Sequence, residues 1–356
     1  MNRVVATWQK ISQKFNFSSF NVVIDWGGAN LRIIKDGQIV FQQPSCYLEK
    51  VDQKFLLSFG KQAYQLLGKN PSGTQIIYPI RQGAIYDLTQ AEIMLAAVFH
   101  EFNIQNNLPF WQRNKIQIIV PNFSTNLDKK LWRRLFGNLG WQKIQISTNG
   151  EAVFHYLQKN KQIENNDLLL IDVGAQLTNL SFIINGQVLQ MDAIELGSED
   201  LTRAIQRSVL QVHKLRISWQ VAELVKRRLQ DSWLLLSQEC QDDEAIVAMR
   251  QRLQEQKINI RGMNVENKLV QTQTINFASL YEQVFFWAQD LKEKIKAQFS
   301  QLEPEQLVDV LASGIYLTGG GSQLQGLANF FQQEFKSSVM EAEQPELVAV
   351  KGGVEV

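Results

Sequence analysis

The chain reads as an α/β protein made of two similar halves, each with a smaller inserted subdomain, facing one another across a cleft. Three observations predict this. From Asn21 onward, short apolar strand-like runs alternate with helical stretches, the pattern of α/β layers rather than of a bundle or a sandwich. One unit, strand then acidic loop then hairpin, occurs twice, at residues 21–41 and 167–190. The 356 residues are 45% hydrophobic and 10% aromatic, enough apolar material for roughly two to three compact units. No Pro/Gly/Ser-rich linker divides them, so the halves are expected to pack as one body.

Residues 1–16 form an amphipathic segment. On a helix, Val4, Val5, Trp8, Ile11 and Phe15 make one apolar stripe, and Arg3, Lys10 and Lys14 are unopposed because the first acidic residue is Asp25. That combination suits a helix lying on anionic lipid; a frayed tail, or a helix docked on its own domain, has the same pattern. The first half spans residues 17–148, with a small subdomain at about 33–67. Its opening strand, 21–25, runs into the loop Asp25-Trp26-Gly27-Gly28-Ala29-Asn30. A strand at 31–34, the turn pair Asp36-Gly37 and a strand at 38–41 complete a hairpin. A helix at 88–102 and a strand at 116–120 follow. Between them lie Leu108, Phe110 and Trp111, beside Arg113 and Lys115. Apolar residues at a loop tip cost solvation unless lipid or the protein's own core covers them.

The halves meet around residues 147–151, and the second half, 149–334, repeats the plan with a small subdomain at about 192–273. A strand at 167–171 leads to Asp172-Val173-Gly174-Ala175-Gln176-Leu177-Thr178, a strand at 179–184, the turn pair Asn185-Gly186, a strand at 187–190 and a helix at 201–212. A buried strand at 314–318 feeds Gly319-Gly320-Gly321-Ser322, which opens a helical stretch at 323–335. The final segment, 335–356, is a candidate to pack back on the first half.

Charge and composition exclude several functions. With 36 Lys+Arg against 35 Asp+Glu the net charge is +1, which removes the electrostatic case for binding nucleic acid. Cys46 and Cys240 alone supply neither a disulfide framework nor the thiolate spacing of a zinc site. No apolar run approaches the ~20 residues that a membrane-spanning helix needs. The N-terminus also lacks the apolar core and cleavage site of a secretory signal. The expectation is a cytoplasmic protein, free or peripheral on the inner face of the cell membrane.

Three loops share one physical logic. A strand delivers the chain, small residues let backbone approach a ligand, and exposed N–H groups or a helix start face negative charge. In the first, Asp25 at a strand end is placed to hold a hydrated divalent cation, Gly27 and Gly28 keep the tip open for phosphate oxygens, and Asn30 adds a donor. An ordinary tight hairpin has the same residues. In the second, Asp172 is the matching acid, but Gly174 is the sole glycine, and taken singly this loop reads as a structural turn. In the third, Gly319, Gly320 and Gly321 mark close backbone approach, either to a ligand or to the sheet.

In order and spacing, these loops and the stretches between them resemble the actin-like ATPases of the sugar-kinase and heat-shock-protein superfamily, and within it the bacterial rod-shape family MreB. The likeness runs from about Asn21 to Gly353. The loop at 25–30 is similar to the family's first phosphate loop, and Gln43-Pro44-Ser45 sits where the family has Glu-Pro-Ser. Tyr78-Pro79-Ile80-Arg81-Gln82-Gly83-Ala84-Ile85-Tyr86-Asp87 resembles its Arg-Pro-Met-Lys-Asp-Gly-Val-Ile-Ala-Asp stretch. Ile260-Arg261-Gly262-Met263-Asn264 resembles an Ile-Arg-Gly-Arg-Asp element of the second small subdomain. Residues 222–226 resemble the helix whose Glu and Lys flank adenine and ribose, and 317–324 resemble the adenosine-side loop.

The resemblance implies an actin-like ATPase fold, with a mixed sheet flanked by helices in each half and ATP with Mg2+ in the cleft. Asp25 and Asp172 would organise the metal through water. Gly27, Gly28, Ala29, Asn30, Gly174, Ala175, Gln176 and Thr178 would face phosphates. Glu223, Lys226, Gly319, Gly320, Gly321, Ser322 and Gln323 would hold the nucleoside. A short membrane-insertion loop is implied at Leu108, Phe110 and Trp111.

Departures from the family pattern fall on the chemistry. Gly174-Ala175-Gln176-Leu177-Thr178 stands where the family has Gly-Gly-Gly-Thr-Thr, so Gln176 and Leu177 bring bulk where backbone should touch phosphate. The family's Glu-Glu-Pro, whose acid orients the attacking water, aligns with Thr148-Asn149-Gly150. An amide at Asn149 can hold a water but cannot take its proton. Glu151 is two residues on and would have to be re-aimed to substitute. The family's Gly-Asp-Glu reads here as Ser198-Glu199-Asp200. The expected function is that of an MreB-like cytoskeletal protein. It would bind ATP, polymerise into membrane-associated filaments and help determine cell shape alongside shape or wall-synthesis proteins, with hydrolysis slow or lost; an ordinary ATPase whose residues align differently at 148–150 is the other reading of this loop. The alternatives are an actin-fold adaptor of the PilM or FtsA type and a small-molecule kinase of the same superfamily, for which no candidate acid stands near residues 121–124.

Overall fold

The computed structural model describes residues 21–104, 114–161, 163, 167–229 and 255–353. The stripe Val4, Val5, Trp8, Ile11 and Phe15 and the loop residues Leu108, Phe110 and Trp111 lie outside the described residues.

The first half runs β1 (Asn21–Trp26), β2 (Asn30–Lys35), β3 (Gln38–Pro44), β4 (Tyr47–Lys50), β5 (Phe55–Phe59), α1 (Gly60–Gln65), β6 (Thr74–Ile77), β7 (Ile80–Arg81), β8 (Ala84–Ile85), α2 (Leu88–Glu101), β9 (Lys115–Val120), α3 (Asn126–Asn138) and β10 (Lys143–Thr148). Next come α4 (Asn149–Lys159), β11 (Leu168–Val173), β12 (Thr178–Ile184), β13 (Gln187–Ile194), α5 (Ser198–His213), β14 (Leu215–Arg216) and α6 (Trp219–Lys226). The rest comprises β15 (Lys257–Asn264), β16 (Val270–Asn276), α7 (Ala278–Phe299), α8 (Pro304–Ser313), β17 (Ile315–Thr318), α9 (Leu327–Phe335), β18 (Val339–Glu341) and α10 (Val348–Gly353).

One sheet topology is used twice. The orders are β10-β9-β1-β2-β3 and β13-β12-β11-β17-β18. In each, a first strand pairs antiparallel with a hairpin on one side and parallel with a second strand on the other. Even the irregularities repeat, because a register shift precedes each turn pair, at Ile33/Ile34 and at Phe182/Ile183. Asp36 and Gly37 have φ of 51° and 80°, and Asn185 and Gly186 have 53° and 72°. Two left-handed residues match the twist of the flanking strands, and Asn, Asp and Gly tolerate that region best.

β11 is buried along its whole length, as a central strand covered on both faces must be. Leu169 and Ile171 pack with α5, α7 and α9, while Leu168 and Leu170 join α4, α10, Val23 and Ile119 in a second cluster. That second cluster contains residues of both large sheets, and so welds the halves. In the first half, Val22 and Ile24 turn to the opposite face and pack with α2 and α3. The terminal helix α10 lies close against α4: a Cβ on Gly352 would come within 1.8 Å of the Ala152 carbonyl oxygen.

Two three-stranded sheets, β5-β4-β6 and β14-β15-β16, stand apart from the large ones. The first is built from residues 47–77, whereas Ile33 belongs to β2 of the large sheet. The helix expected over 323–335 begins later. A 3-10 turn covers Gly320–Gln323, and Gly326, at φ 89°, reorients the chain before α9 starts at Leu327.

Candidate functional site

A cavity of about 1460 Å³ lies between the halves, larger than most small-ligand pockets. It is lined by the loops after β1, β11 and β17, by Asn149 at the start of α4, and by α6.

The first loop is pinned from behind. The Ser45 N–H donates to the Ala29 carbonyl at 2.8 Å, and the Trp26 indole N–H donates to the Ser45 hydroxyl at 2.6 Å. Ser45 thus holds the loop from the end of β3, and Trp26 is anchored against Trp132. Gly27, Gly28, Ala29 and Asn30 all line the cavity.

The second loop is tied to the start of α5, where the Ser198 and Glu199 N–H groups donate to the Gly174 and Ala175 carbonyls at 3.0 and 2.8 Å. Gly197 permits this approach, since a Cβ there would sit 2.3 Å from the Ala175 oxygen. Gln176 reaches across the cleft. Its Oε1 accepts the Gln82 N–H at 2.7 Å and its Nε2 donates to Glu199 at 3.1 Å. A Cβ on Gly28 would lie 2.1 Å from that Oε1, so the room left by Gly28 is used by Gln176. The bulk expected at Gln176 bridges the halves.

In the third loop, a Cβ on Gly319 would meet the Val173 carbonyl oxygen at 2.4 Å, and one on Gly321 would meet the Val173 side chain at 2.6 Å. Close packing on β11 therefore requires both. Gly320 is open, with its nearest neighbour 3.8 Å away. Gln323 lines the cavity and donates to Glu346 at 2.7 Å.

At the far end, Lys226 Nζ donates to the Ser198 carbonyl, the Thr202 hydroxyl and Glu223 at 3.0, 2.8 and 2.8 Å. Burial lowers the Lys226 pKa, and the Glu223 carboxylate opposes that shift. Gln220 joins α6 to the first half by donating to the Tyr64 and Leu67 carbonyls at 3.3 and 3.1 Å.

Three expected site residues turn away from the cavity. Thr178 is fully buried and donates to the Leu196 carbonyl at 2.7 Å, because its alternation on β12 points it into the protein. Ser322 is buried and closes its own turn onto the Gly319 carbonyl at 2.7 Å. Glu151 accepts the Thr148 N–H and hydroxyl at 2.8 and 2.9 Å, a reciprocal cap on the first turn of α4. It is spent on the helix terminus and is not aimed into the cleft.

The two strand-end acids are each engaged by protein. Asp25 Oδ2 receives Arg32 Nη1 at 2.8 Å, and Asp172 Oδ2 receives the Asn149 amide at 3.0 Å. Burial pushes the Asp172 carboxyl up to about 6, against the Asn149 hydrogen bond. The Arg32 guanidinium already neutralises Asp25 and stands as a positive charge beside it, so this pair is a poor match for the magnesium expected between Asp25 and Asp172. Among the described residues, no group of three or more His, Cys, Asp and Glu is gathered that could hold a metal ion by protein ligands alone. Arg32, Gln82 and Glu199 line the cavity and were not singled out from sequence as ligand contacts. The signal for Arg32 was the hairpin register, which sets it opposite Asp25.

The profile of the MreB/Mbl protein family matches residues 19–356. The chain is 23% identical over 337 residues to the cell shape-determining protein Mbl of Bacillus subtilis (strain 168), covering 94% of this chain and 95% of that protein. It is 23% identical over 342 residues to the cell shape-determining protein MreB of Escherichia coli (strain K12), covering 94% and 92%. In fold it matches MreB 5 of Spiroplasma citri bound to AMPPNP, with a TM-score of 0.80 at 18% identity, covering 94% and 95%. It also matches the MamK double helical filament, with a TM-score of 0.68 at 16% identity, covering 94% and 98%. The actin-like α/β architecture expected from sequence is the one present.

Proposed function

The chain belongs to the MreB/Mbl family, and from that premise we propose that it binds an adenine nucleotide in the cleft and self-associates into filaments that take part in cell-shape determination. One observation carries the reading: loops from the equivalent strands β1 and β11 and the triglycine turn after β17 converge on one large cavity between duplicated sheets. The relatives add support, since MreB 5 was solved bound to AMPPNP and to ADP, and MamK as a filament. In this reading, 17–148 and 149–334 are the two halves, with 335–356 returning to the first. Gly27, Gly28, Ala29, Asn30, Gly174 and Ala175 face phosphates, and Glu223, Lys226, Gly319, Gly320 and Gln323 flank the nucleoside. Gln176 must swing aside if a terminal phosphate is to reach Gly28.

Hydrolysis is proposed to be slow. Asn149 stands at the acid position with its amide committed to Asp172, and an amide cannot take a proton from the attacking water. The filaments are proposed to lie on the inner face of the cell membrane, held by Val4, Val5, Trp8, Ile11 and Phe15 and by Leu108, Phe110 and Trp111. Two weak anchors in one subunit, repeated along a polymer, reinforce one another through effective concentration. The kinase and adaptor alternatives lose ground to a family match that spans both halves and both small sheets.

Calorimetric titration of the purified chain with ATP and ADP should give saturable heat, and its absence with both would end the nucleotide reading. Sedimentation with anionic liposomes should weaken on removal of residues 1–15 and on Trp111→Ser. Equal pelleting of both variants and the intact chain would remove the membrane part.

A further inference from the structure

We infer that the Arg32 guanidinium takes the place of a divalent cation at the phosphate end of the cleft, so that a nucleotide binds here without magnesium. This rests on the nucleotide reading above. Arg32 is the direct cross-strand partner of Asp25 in the β1–β2 ladder, so both side chains leave the same face of the sheet, and both line the cavity beside Gly27 and Gly28. Their ion pair is 2.8 Å long, with side chains 14% and 19% exposed. The Arg32 Nε is buried and has no hydrogen-bond partner among the described residues.

Charge decides the role. Two free carboxylates at the strand ends would repel a polyphosphate unless a divalent ion stood between them. Here the Arg32–Asp25 pair is already neutral, which leaves Asp172, held by the Asn149 amide through one oxygen, as the single uncompensated carboxylate of the two. A guanidinium offers five N–H donors in one plane, and the bond to Asp25 occupies one of its nitrogens. Phosphate oxygens are well matched to guanidinium N–H groups, and the terminal nitrogens rather than the buried Nε are the ones that can reach them. Asp25 then acts as a positioning residue, orienting the guanidinium as it would have oriented water around a metal. A partly buried ion pair is a poor way to gain stability, which is consistent with a binding role.

Full-length protein titrated with ATP in EDTA and in millimolar magnesium tests this. The expected result is affinities within about threefold of each other. Arg32→Leu should bind at least ~10-fold more weakly in EDTA and recover in magnesium, because Asp25 is released to hold the ion. Thermal unfolding of the variant reports whether it folds. If it does not, Arg32→Gln, which keeps a hydrogen bond to Asp25, is put through the same pair of titrations.

Binding by the intact chain that needs magnesium, with a loss of ~30-fold or more in EDTA, would overturn the inference while leaving the nucleotide reading intact. A folded Arg32 variant that binds as the intact chain does in EDTA would overturn it too. Failure to bind under either condition would remove the nucleotide reading, and this inference with it.

Discussion

Glu199 shows how a single side chain records the state of the cleft. It accepts from Gln176 and from Arg203, each at 3.1 Å, yet burial outweighs both and raises its pKa above the ordinary glutamate value. The folded chain therefore binds this proton more tightly than the unfolded chain. The site is most stabilising at low pH, and that contribution is lost as pH rises through the folded pKa. Glu199→Gln, which keeps shape and hydrogen bonding, should unfold at a higher temperature than the intact chain near pH ~7.5, with the gain shrinking toward pH ~4. A variant less stable at both values would show that the Arg203 pair outweighs burial. Glu199 was visible in sequence only as surviving acidic character in Ser198-Glu199-Asp200; its contact with Gln176 depends on the second loop folding onto α5.

Among the elements, α4 has its first turn at the crossing between the halves, with Thr148 as its cap and Asn149 as its first residue. Thr148→Ala removes the side-chain half of the reciprocal cap and should lower stability by about 1–2 kcal/mol, read as a shift in the urea midpoint at unchanged slope. It should also loosen the aim of Asn149 toward Asp172. A midpoint that does not move would mean that packing in the cluster of α4 and α10 alone fixes the helix start. The Thr-x-x-Glu spacing at 148–151 is a capping signature legible from sequence. The family comparison drew Glu151 toward catalysis instead. What a carboxylate does depends on which N–H groups lie within reach, and a helix terminus always presents unpaired ones.

Across the whole molecule, the cleft is bridged at several depths. Asn122 at the end of β9 accepts the Gly150 N–H at 2.8 Å and donates to the Leu180 carbonyl and the Ser181 hydroxyl at 2.6 and 2.9 Å. Gln176 and Gln220 make the outer links, to Gln82 and to Tyr64 and Leu67. The inner network is buried and the outer links are polar and partly exposed, so motion should hinge at the base and open at the outer links. The double variant Gln176→Ala, Gln220→Ala should raise the radius of gyration in solution scattering by about 1 Å and speed nucleotide exchange, with little change in thermal midpoint. Unaltered scattering and exchange would show that the shared apolar cluster, and not these amides, holds the halves together.

By itself, the sequence determined the duplicated α/β architecture and the place of the three loops. Alternating apolar residues, Asp-Gly and Asn-Gly turn pairs and glycine runs are local signals, read over a few residues without knowledge of partners. Through the family resemblance it also raised the expectation that an amide, Asn149, stands where the relatives carry an acid. Only the tertiary structure decided what the polar residues touch. Arg32 neutralises Asp25, Asn149 occupies Asp172, Gln176 fills the space over Gly28, and Thr178, Ser322 and Glu151 serve the scaffold. Hydrogen bonds and ion pairs act over about 3 Å, and those separations are set by strand register and by the packing of segments far apart in the chain.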